Sequence, residues 1–307
     1  MNLPQFLARR TLQAVPLVFA IIVMVFGLVR LTGDPAKVVL GDNATPEAVQ
    51  ELRQEWGLDD PLVVQFGRYL GDVLTGDLGT SLRYSRPVSS MIVERVGASL
   101  LLVTSSVLLS IAIAVPLGVL AAVRWRRPED VVIRLAVVVG QAVPRFYLGI
   151  LLLLLFGLEL RWLPTSGYGS AAHLVMPAVT LATPTIALLA RLTRSSVLEV
   201  LHADYVRTAR SKGLRERSVL LRHVLRNAMM APVTMLAIQA AQLVGGEVIV
   251  EEVFGWPGLG RLAMTAIYSR DFPVIQGIVL VFCLLVIVTN ILVDLSYAFI
   301  NPQVRYS

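Results

Sequence analysis

The sequence is short of charge and of cysteine, and each shortage excludes a class of protein. Only 16% of its 307 residues are charged, whereas a soluble globular domain normally carries about 25%. The single cysteine, Cys283, excludes an internal disulfide framework. The three histidines are scattered, without a pair at the spacing of metal ligands. The chain is therefore expected to be neither a disulfide-rich secreted domain nor, on its own residues, a metal enzyme.

The sequence has only two lysines, which excludes a common site of nucleotide hydrolysis. The phosphate-binding loop of many ATPases ends in Gly-Lys-Ser or Gly-Lys-Thr. Lys37 follows Ala36 and Lys212 follows Ser211, so neither lysine belongs to such a loop. The sequence also has no recognisable Ser-His-Asp set or nucleophile elbow, which disfavours a membrane-anchored enzyme. Any ATP-driven process would need an ATPase on another subunit.

Long apolar runs dominate what is present. Hydrophobic residues make up 56% of the chain, and the mean hydropathy is +0.72. A helix that crosses a hydrocarbon core of about 30 Å needs about 20 apolar residues. Six such runs stand between charged residues: 11–29, 96–123, 135–158, 162–190, 227–246 and 272–293. We predict an all-α, polytopic membrane protein with six transmembrane helices, the third interrupted only by Arg145 beside Pro144.

The charges between these runs predict the orientation of the chain. Cytoplasmic loops of membrane proteins carry an excess of Lys and Arg. Residues 191–226 hold nine basic and three acidic side chains, whereas residues 31–95 hold six basic and ten acidic ones. The remaining connections follow the same alternation. We therefore predict that both termini are cytoplasmic and that the acidic connections lie outside.

Residues 31–95, the outer segment, are predicted to be helical and not a simple loop. Thr45-Pro46-Glu47 has the pattern of a helix start, with a capping hydroxyl and a proline at the first helical position. Gly57 is placed to end that helix, and Asp60-Pro61 repeats the start pattern. The predicted organisation is an N-terminal transmembrane helix (1–30), an extracytoplasmic helical cap (31–95) and a core of five transmembrane helices (96–307).

Residues 198–227, the inner segment, are the most informative part of the chain. Asp204 is predicted to cap a helix, Gly213 to interrupt it, and residues 219–225 to lie in a second short helix. Such a bent, basic protrusion could insert into a partner and transmit its motion to the adjacent spans. On composition alone, an amphipathic helix attracted to anionic lipid explains the segment equally well.

Residues 204–214, DYVRTARSKGL, resemble the cytoplasmic coupling loop, or EAA loop, of ABC importer permeases. The family pattern is an acid, two alanines, three further residues and a glycine. Arg207, Thr208, Ala209 and Gly213 occupy those places, so the small pair and the glycine match and the acid does not. This departure is typical of the dipeptide/oligopeptide (and nickel) branch of the family.

The resemblance extends over nearly the whole chain. Residues 57–62, 76–81 and 252–260 are similar to further signature stretches of that branch, and their order matches its B-type subunit. The resemblance implies a type I ABC importer permease fold in the bacterial cytoplasmic (inner) membrane. It also implies partners: a homologous second permease, two ATPase domains or subunits that carry ATP and Mg²⁺, and an extracytoplasmic substrate-binding protein, in contact with membrane lipid and without nucleic acid.

Two groups of residues are candidates for function. The resemblance implies that ATPase coupling involves Asp204, Tyr205, Arg207, Thr208, Ala209, Arg210, Lys212, Gly213 and Leu214. Gln239 and Gln242, three residues apart on the fifth run, are candidates for the translocation pathway, although hydrogen bonding between helices explains them more simply.

The alternative function is an ion-gradient-driven secondary transporter or channel. The first, second, fourth and fifth runs contain no acid, which disfavours that alternative. The cargo of a permease stays open among dipeptides, oligopeptides, glutathione, metal chelates and haem.

Overall fold

A computed structural model describes residues 3–31, 34–41, 44–244 and 248–300. These residues are mostly helical and contain no β-strand, only an isolated bridge between Thr80 and Pro87. The helices are α1 Leu3–Leu31, α2 Pro35–Leu40, α3 Pro46–Glu55, α4 Leu62–Thr75, α5 Val88–Val123, α6 Pro128–Ala142, α7 Arg145–Leu152, α8 Ala171–Leu201, α9 Asp204–Ser211, α10 Glu216–Ser218, α11 Leu225–Ala228, α12 Met230–Val244, α13 Val248–Val253, α14 Leu259–Tyr268 and α15 Phe272–Ile300. Two π-helical turns, Leu153–Glu159 and Val219–Val224, follow α7 and α10.

Each of the six predicted runs overlaps an apolar helical region among the described residues. Among the described residues, three helices are long and apolar enough to cross a bilayer: α5, α8 and Phe272–Val293 of α15. The count rises to five when each of two bent helix pairs is taken as one span, and α1 contains a shorter apolar stretch, Leu12–Gly27. Within the described residues, not every predicted run is therefore an uninterrupted helix of spanning length.

The third span was predicted as one helix over residues 135–158, and this prediction is wrong because the helix is sharply bent. The axes of Pro128–Ala142 and Arg145–Glu159 differ by 103°. Val143 and Pro144, between them, have extended backbones, with ψ of 123° and 137°. Proline removes a helical hydrogen bond and disfavours the helical conformation in the residue before it. The fourth span was also placed too early, because residues 162–170 are not helical and α8 begins at Ala171.

The chain divides into two compact units, Met1–Ser99 with Pro257–Ile291 and Leu100–Trp256 with Leu292–Ser307. In the first unit, the start of α5 packs against α14 and the start of α15 in one apolar cluster that includes Val88, Leu259 and Val274. The three-part division made from the sequence stays a prediction.

The helix starts predicted for the outer segment are largely confirmed. The Thr45 hydroxyl accepts a hydrogen bond from the Ala48 amide at 3.3 Å, as the capping pattern predicts. Phe66 of α4 packs edge-on against Phe26 of α1, with ring centroids 5.2 Å apart. Tyr69 lies beside the same ring, and burial raises its pKa to about 12, so the phenol stays neutral at physiological pH.

A buried carboxylate organises the loop that precedes α5. Asp271 is 1% exposed. It accepts hydrogen bonds from the Ser81 hydroxyl at 2.5 Å and from the Leu82 amide at 3.2 Å. Because these residues are about 190 positions apart in the chain, this contact helps to define the tertiary structure of the first unit.

We expect Asp271→Ala to destabilise the first unit by about 1–3 kcal/mol, because the Ser81 hydroxyl loses its buried acceptor. Asp72→Ala is the matched control, since Asp72 is exposed on α4 and surface changes usually stay within about 0.5 kcal/mol. Thermal melting of the purified transporter, with proteolysis to report on the loop, measures the difference. Equal melting of the two variants would contradict the role given to Asp271.

In the second unit, α8 packs against α6 and against the second half of α5. An added Cβ on Gly118 of α5 would lie 2.7 Å from the carbonyl oxygen of Ala190 and 2.6 Å from Cβ of Thr193. Only glycine permits this approach of the two backbones. The tight packing fixes the end of α8 from which the inner segment departs.

Candidate functional site

The inner segment is a helix, a turn and a second helical stretch, as predicted from its sequence. α8 ends at Leu201, α9 begins two residues after His202, and α10 follows the turn at Gly213. The predicted cap is wrong in one detail: Ala203 occupies the N-cap position, and Asp204 lies in the first turn with its side chain 99% exposed. There its carboxylate interacts favourably with the positive end of the helix dipole.

The turn depends on the conformation of Gly213. Its φ angle is +75°, a region that L-residues rarely adopt, and no atom lies within 4 Å of the position of an added Cβ. Its amide donates a hydrogen bond to the Arg210 carbonyl oxygen at 2.9 Å. Backbone conformation, and not crowding, is therefore the reason for glycine at this position.

An ion pair closes the same turn. The Arg210 guanidinium donates to both carboxylate oxygens of Glu216, at 3.2 and 2.8 Å. This hydrogen bonding raises the pKa of Arg210. Both side chains are well exposed, so the pair positions the turn and contributes little to stability.

The inner face of the segment is a buried apolar cluster. Val206 and Val219 are fully buried and pack with Val197 of α8. Val219 and Val224 lie five residues apart within the π-helical turn. Because that turn bonds residues i and i+5, both valines reach the buried face. The sequence pattern indicated a helix here but contains no signal for the π-turn.

Most of the predicted coupling residues lie on the outer face of the segment. All of them except Ala209 are exposed: Asp204, Tyr205, Arg207, Thr208, Arg210, Lys212, Gly213 and Leu214. Ala209 is only 6% exposed and belongs to the buried cluster, so it anchors α9 and is not available to a partner. The Tyr205 hydroxyl accepts a hydrogen bond from Asn227 at 2.8 Å and ties α9 to α11. The result is one body with a basic, solvent-facing surface.

The two predicted pathway residues lie on α12. Gln239 is half-buried and Gln242 is exposed. In the part of the chain that the structure describes, neither side chain makes a hydrogen bond within the chain. Their role in a pathway stays a prediction.

A buried ion pair on α6 and α8, close to the inner segment, was not predicted from the sequence. Asp130, at the start of α6, is 1% exposed and pairs with Arg194 of α8 at 2.6 and 2.9 Å. Asp130 also accepts a hydrogen bond from the Arg126 amide at 3.1 Å. Arg194 lies ten residues before Asp204, so the pair fixes the part of α8 that carries the inner segment. No local pattern links residues 64 positions apart.

No group of three or more histidine, cysteine, aspartate or glutamate side chains placed to hold a metal ion occurs within residues 3–31, 34–41, 44–244 and 248–300. The described arrangement is an exposed basic surface that is packed against the end of a long helix.

Comparison with known proteins identifies related sequences over almost the entire chain. Residues 114–306 match the profile of the family described as binding-protein-dependent transport system inner membrane component. Residues 3–103 match the corresponding N-terminal profile. The glutathione transport system permease protein GsiC of Salmonella paratyphi A is 44% identical over 304 residues, which cover 98% of this chain and 99% of GsiC. GsiC of Escherichia coli K12 is 42% identical over 302 residues, with the same coverage.

Solved structures show the same fold at much lower identity. A chain of the MetNI methionine ABC transporter in an inward-facing conformation matches with a TM-score of 0.58 at 19% identity, covering 69% of this chain and 96% of that chain. A chain of an amino acid ABC transporter with histidines matches with a TM-score of 0.52 at 17% identity, covering 67% and 92%.

Proposed function

This chain belongs to the family of binding-protein-dependent transport system inner membrane components, and we propose that it forms half of a translocation pathway for short peptides. It is the permease component of an ABC importer, a multi-pass protein of the bacterial inner membrane. The type I ABC importer permease fold expected from the sequence is confirmed.

Permeases of this family work with ATPase and substrate-binding partners. We propose that this chain pairs with a homologous second permease and that two ATPase domains dock on the inner segment, with both termini on the same cytoplasmic side. The excess of basic residues in 191–226 supports that orientation. The chain is proposed to be non-catalytic, with ATP and Mg²⁺ bound by the ATPase subunits.

The observation that supports the coupling role is the packing of the inner segment against the end of α8. Val206 and Val219 are buried against the end of α8, while Arg207 and Lys212 face solvent. A displacement of α9 by an ATPase is therefore expected to move α8 as well, because the two helices are in direct contact. Alternating access by rigid-body motion of helical bundles is the usual consequence of such a displacement.

Short peptides, including glutathione, are the proposed cargo. The support is the near full-length similarity to permeases named for glutathione transport. Gln239 and Gln242 are proposed to face the pathway, because their amides are free within the described chain to bind peptide groups.

Reconstituted transport tests this function. Proteoliposomes that contain this permease, its sister permease, the ATPases and the binding protein are expected to accumulate labelled glutathione only with ATP. Unlabelled dipeptides and tripeptides should compete for uptake, whereas free glutamate should not. Uptake that persists without ATP but stops when an ionophore collapses the ion gradients would instead support a secondary transporter.

A further inference from the structure

A groove of about 330 Å³ lies between α6 and α8 in the second unit. Its walls are aliphatic, and its rim is cationic. Leu135 and Val138 of α6 are 61% and 63% exposed along it. The rim carries Arg134, Arg191 and Arg194. None of these residues belongs to the inner segment, so the proposed coupling role does not account for the groove.

The rim has more positive charge than its acidic partner neutralises. Asp130 pairs closely with Arg194, and Arg134 reaches the same carboxylate only at 3.5 Å. The nearest contact of Arg191 is an amide, the Gln141 side-chain oxygen at 3.4 Å. Three guanidinium groups thus line the rim, and two of them contact the Asp130 carboxylate. The local excess of two positive charges leaves Arg134 and Arg191 with donors for an anion.

The groove also lies at a suitable depth for lipid. α8 has 31 residues and is about 46 Å long, which exceeds a hydrocarbon core of about 30 Å. Its apolar part ends at Ala190, and Arg191 is the first charged residue after it. Arg191 is therefore at the level of the headgroups, with the aliphatic wall directed toward the acyl chains. Basic pockets between transmembrane helices are known to bind anionic headgroups.

We propose that this groove binds an anionic phospholipid, whose phosphate contacts Arg134 and Arg191 and whose acyl chain lies along Leu135 and Val138. A zwitterionic lipid brings no net charge to the rim and binds more weakly. A free phosphate ion matches the rim but leaves the aliphatic wall uncovered. The positive rim and the apolar wall together therefore favour an anionic phospholipid over both alternatives.

Lipid titration of the purified, assembled transporter tests the proposal. We expect phosphatidylglycerol and cardiolipin to raise its melting temperature at lower concentrations than phosphatidylcholine does. Arg191→Gln should weaken the apparent affinity for phosphatidylglycerol about fivefold, because each arginine near an anionic lipid surface strengthens binding by about that factor. Arg134→Gln combined with Arg191→Gln should weaken the affinity about 25-fold. Arg191→Lys, which keeps the charge, should stay close to the parent.

The matched control is Arg83→Gln, which removes one exposed arginine from the loop before α5. It should leave the lipid titration unchanged. Equal responses to phosphatidylglycerol and phosphatidylcholine, or equal effects of Arg191→Gln and Arg83→Gln, would overturn the proposal. Competition by millimolar inorganic phosphate would show a free-anion site instead, and cross-linking from position 138 to the sister permease would show a protein interface.

Discussion

Asp130→Ala is expected to lower the stability of this permease by about 3–5 kcal/mol, because it leaves a largely buried guanidinium without its counter-charge. The Asp130 side chain is 1% exposed and that of Arg194 is 19% exposed. The two charges share two short hydrogen bonds. Thermal melting of the purified transporter and the amount of permease in the membrane should both fall.

Two further variants separate the ion pair from a general effect of lost charge. Glu129→Ala removes the neighbouring carboxylate, which is 47% exposed and 3.5 Å from Arg124. An exposed pair of this kind contributes about 0–1 kcal/mol. The double variant Asp130→Ala/Arg194→Met should recover much of the lost stability, because no unpaired charge remains buried. Asp130→Ala that melts like Glu129→Ala would refute the stabilising role of the pair.

Gly213→Pro is expected to reduce ATP-driven uptake at least about tenfold while ATP hydrolysis continues. Proline holds φ near −65°, whereas the turn requires +75°. The substitution also removes the amide that donates to the Arg210 carbonyl oxygen. The direction of α10 relative to α9 should therefore change, with little effect on the buried spans. Uptake and ATPase activity in the same proteoliposomes measure the uncoupling.

Gly213→Asn provides the control for that experiment. Asparagine tolerates the left-handed conformation better than other L-residues, and the space around the position is open. Its uptake should remain close to that of the parent protein. Normal uptake by Gly213→Pro, with normal amounts in the membrane, would rule out this turn as the point where ATPase motion enters the permease.

Local sequence patterns predicted those features that depend on a few neighbouring residues. The Thr45 cap was confirmed because a hydroxyl, a proline and an acid act within one turn of helix. The turn at Gly213 was placed correctly because glycine adopts positive φ without strain.

Predictions failed where a longer-range arrangement decided the outcome. Asp204 has the chemistry of a cap, yet Ala203 occupies that position and Asp204 lies in the first turn of α9. The burial of Ala209 was also not predicted: its small side chain lets α9 pack closely on the cluster around Val219. Pro144 marked an interruption, although nothing local determined a bend of 103°.

The sequence by itself determined that this protein is an all-helical membrane protein, and where its inner segment bends. Both follow from short-range physics: apolar runs long enough for a bilayer, charge alternation between them, and the backbone freedom of one glycine. Only the tertiary structure decided that Asp130 pairs with Arg194 and that three arginines surround an aliphatic groove. Those contacts join residues far apart in the chain, and they depend on how helices pack, which no local pattern encodes.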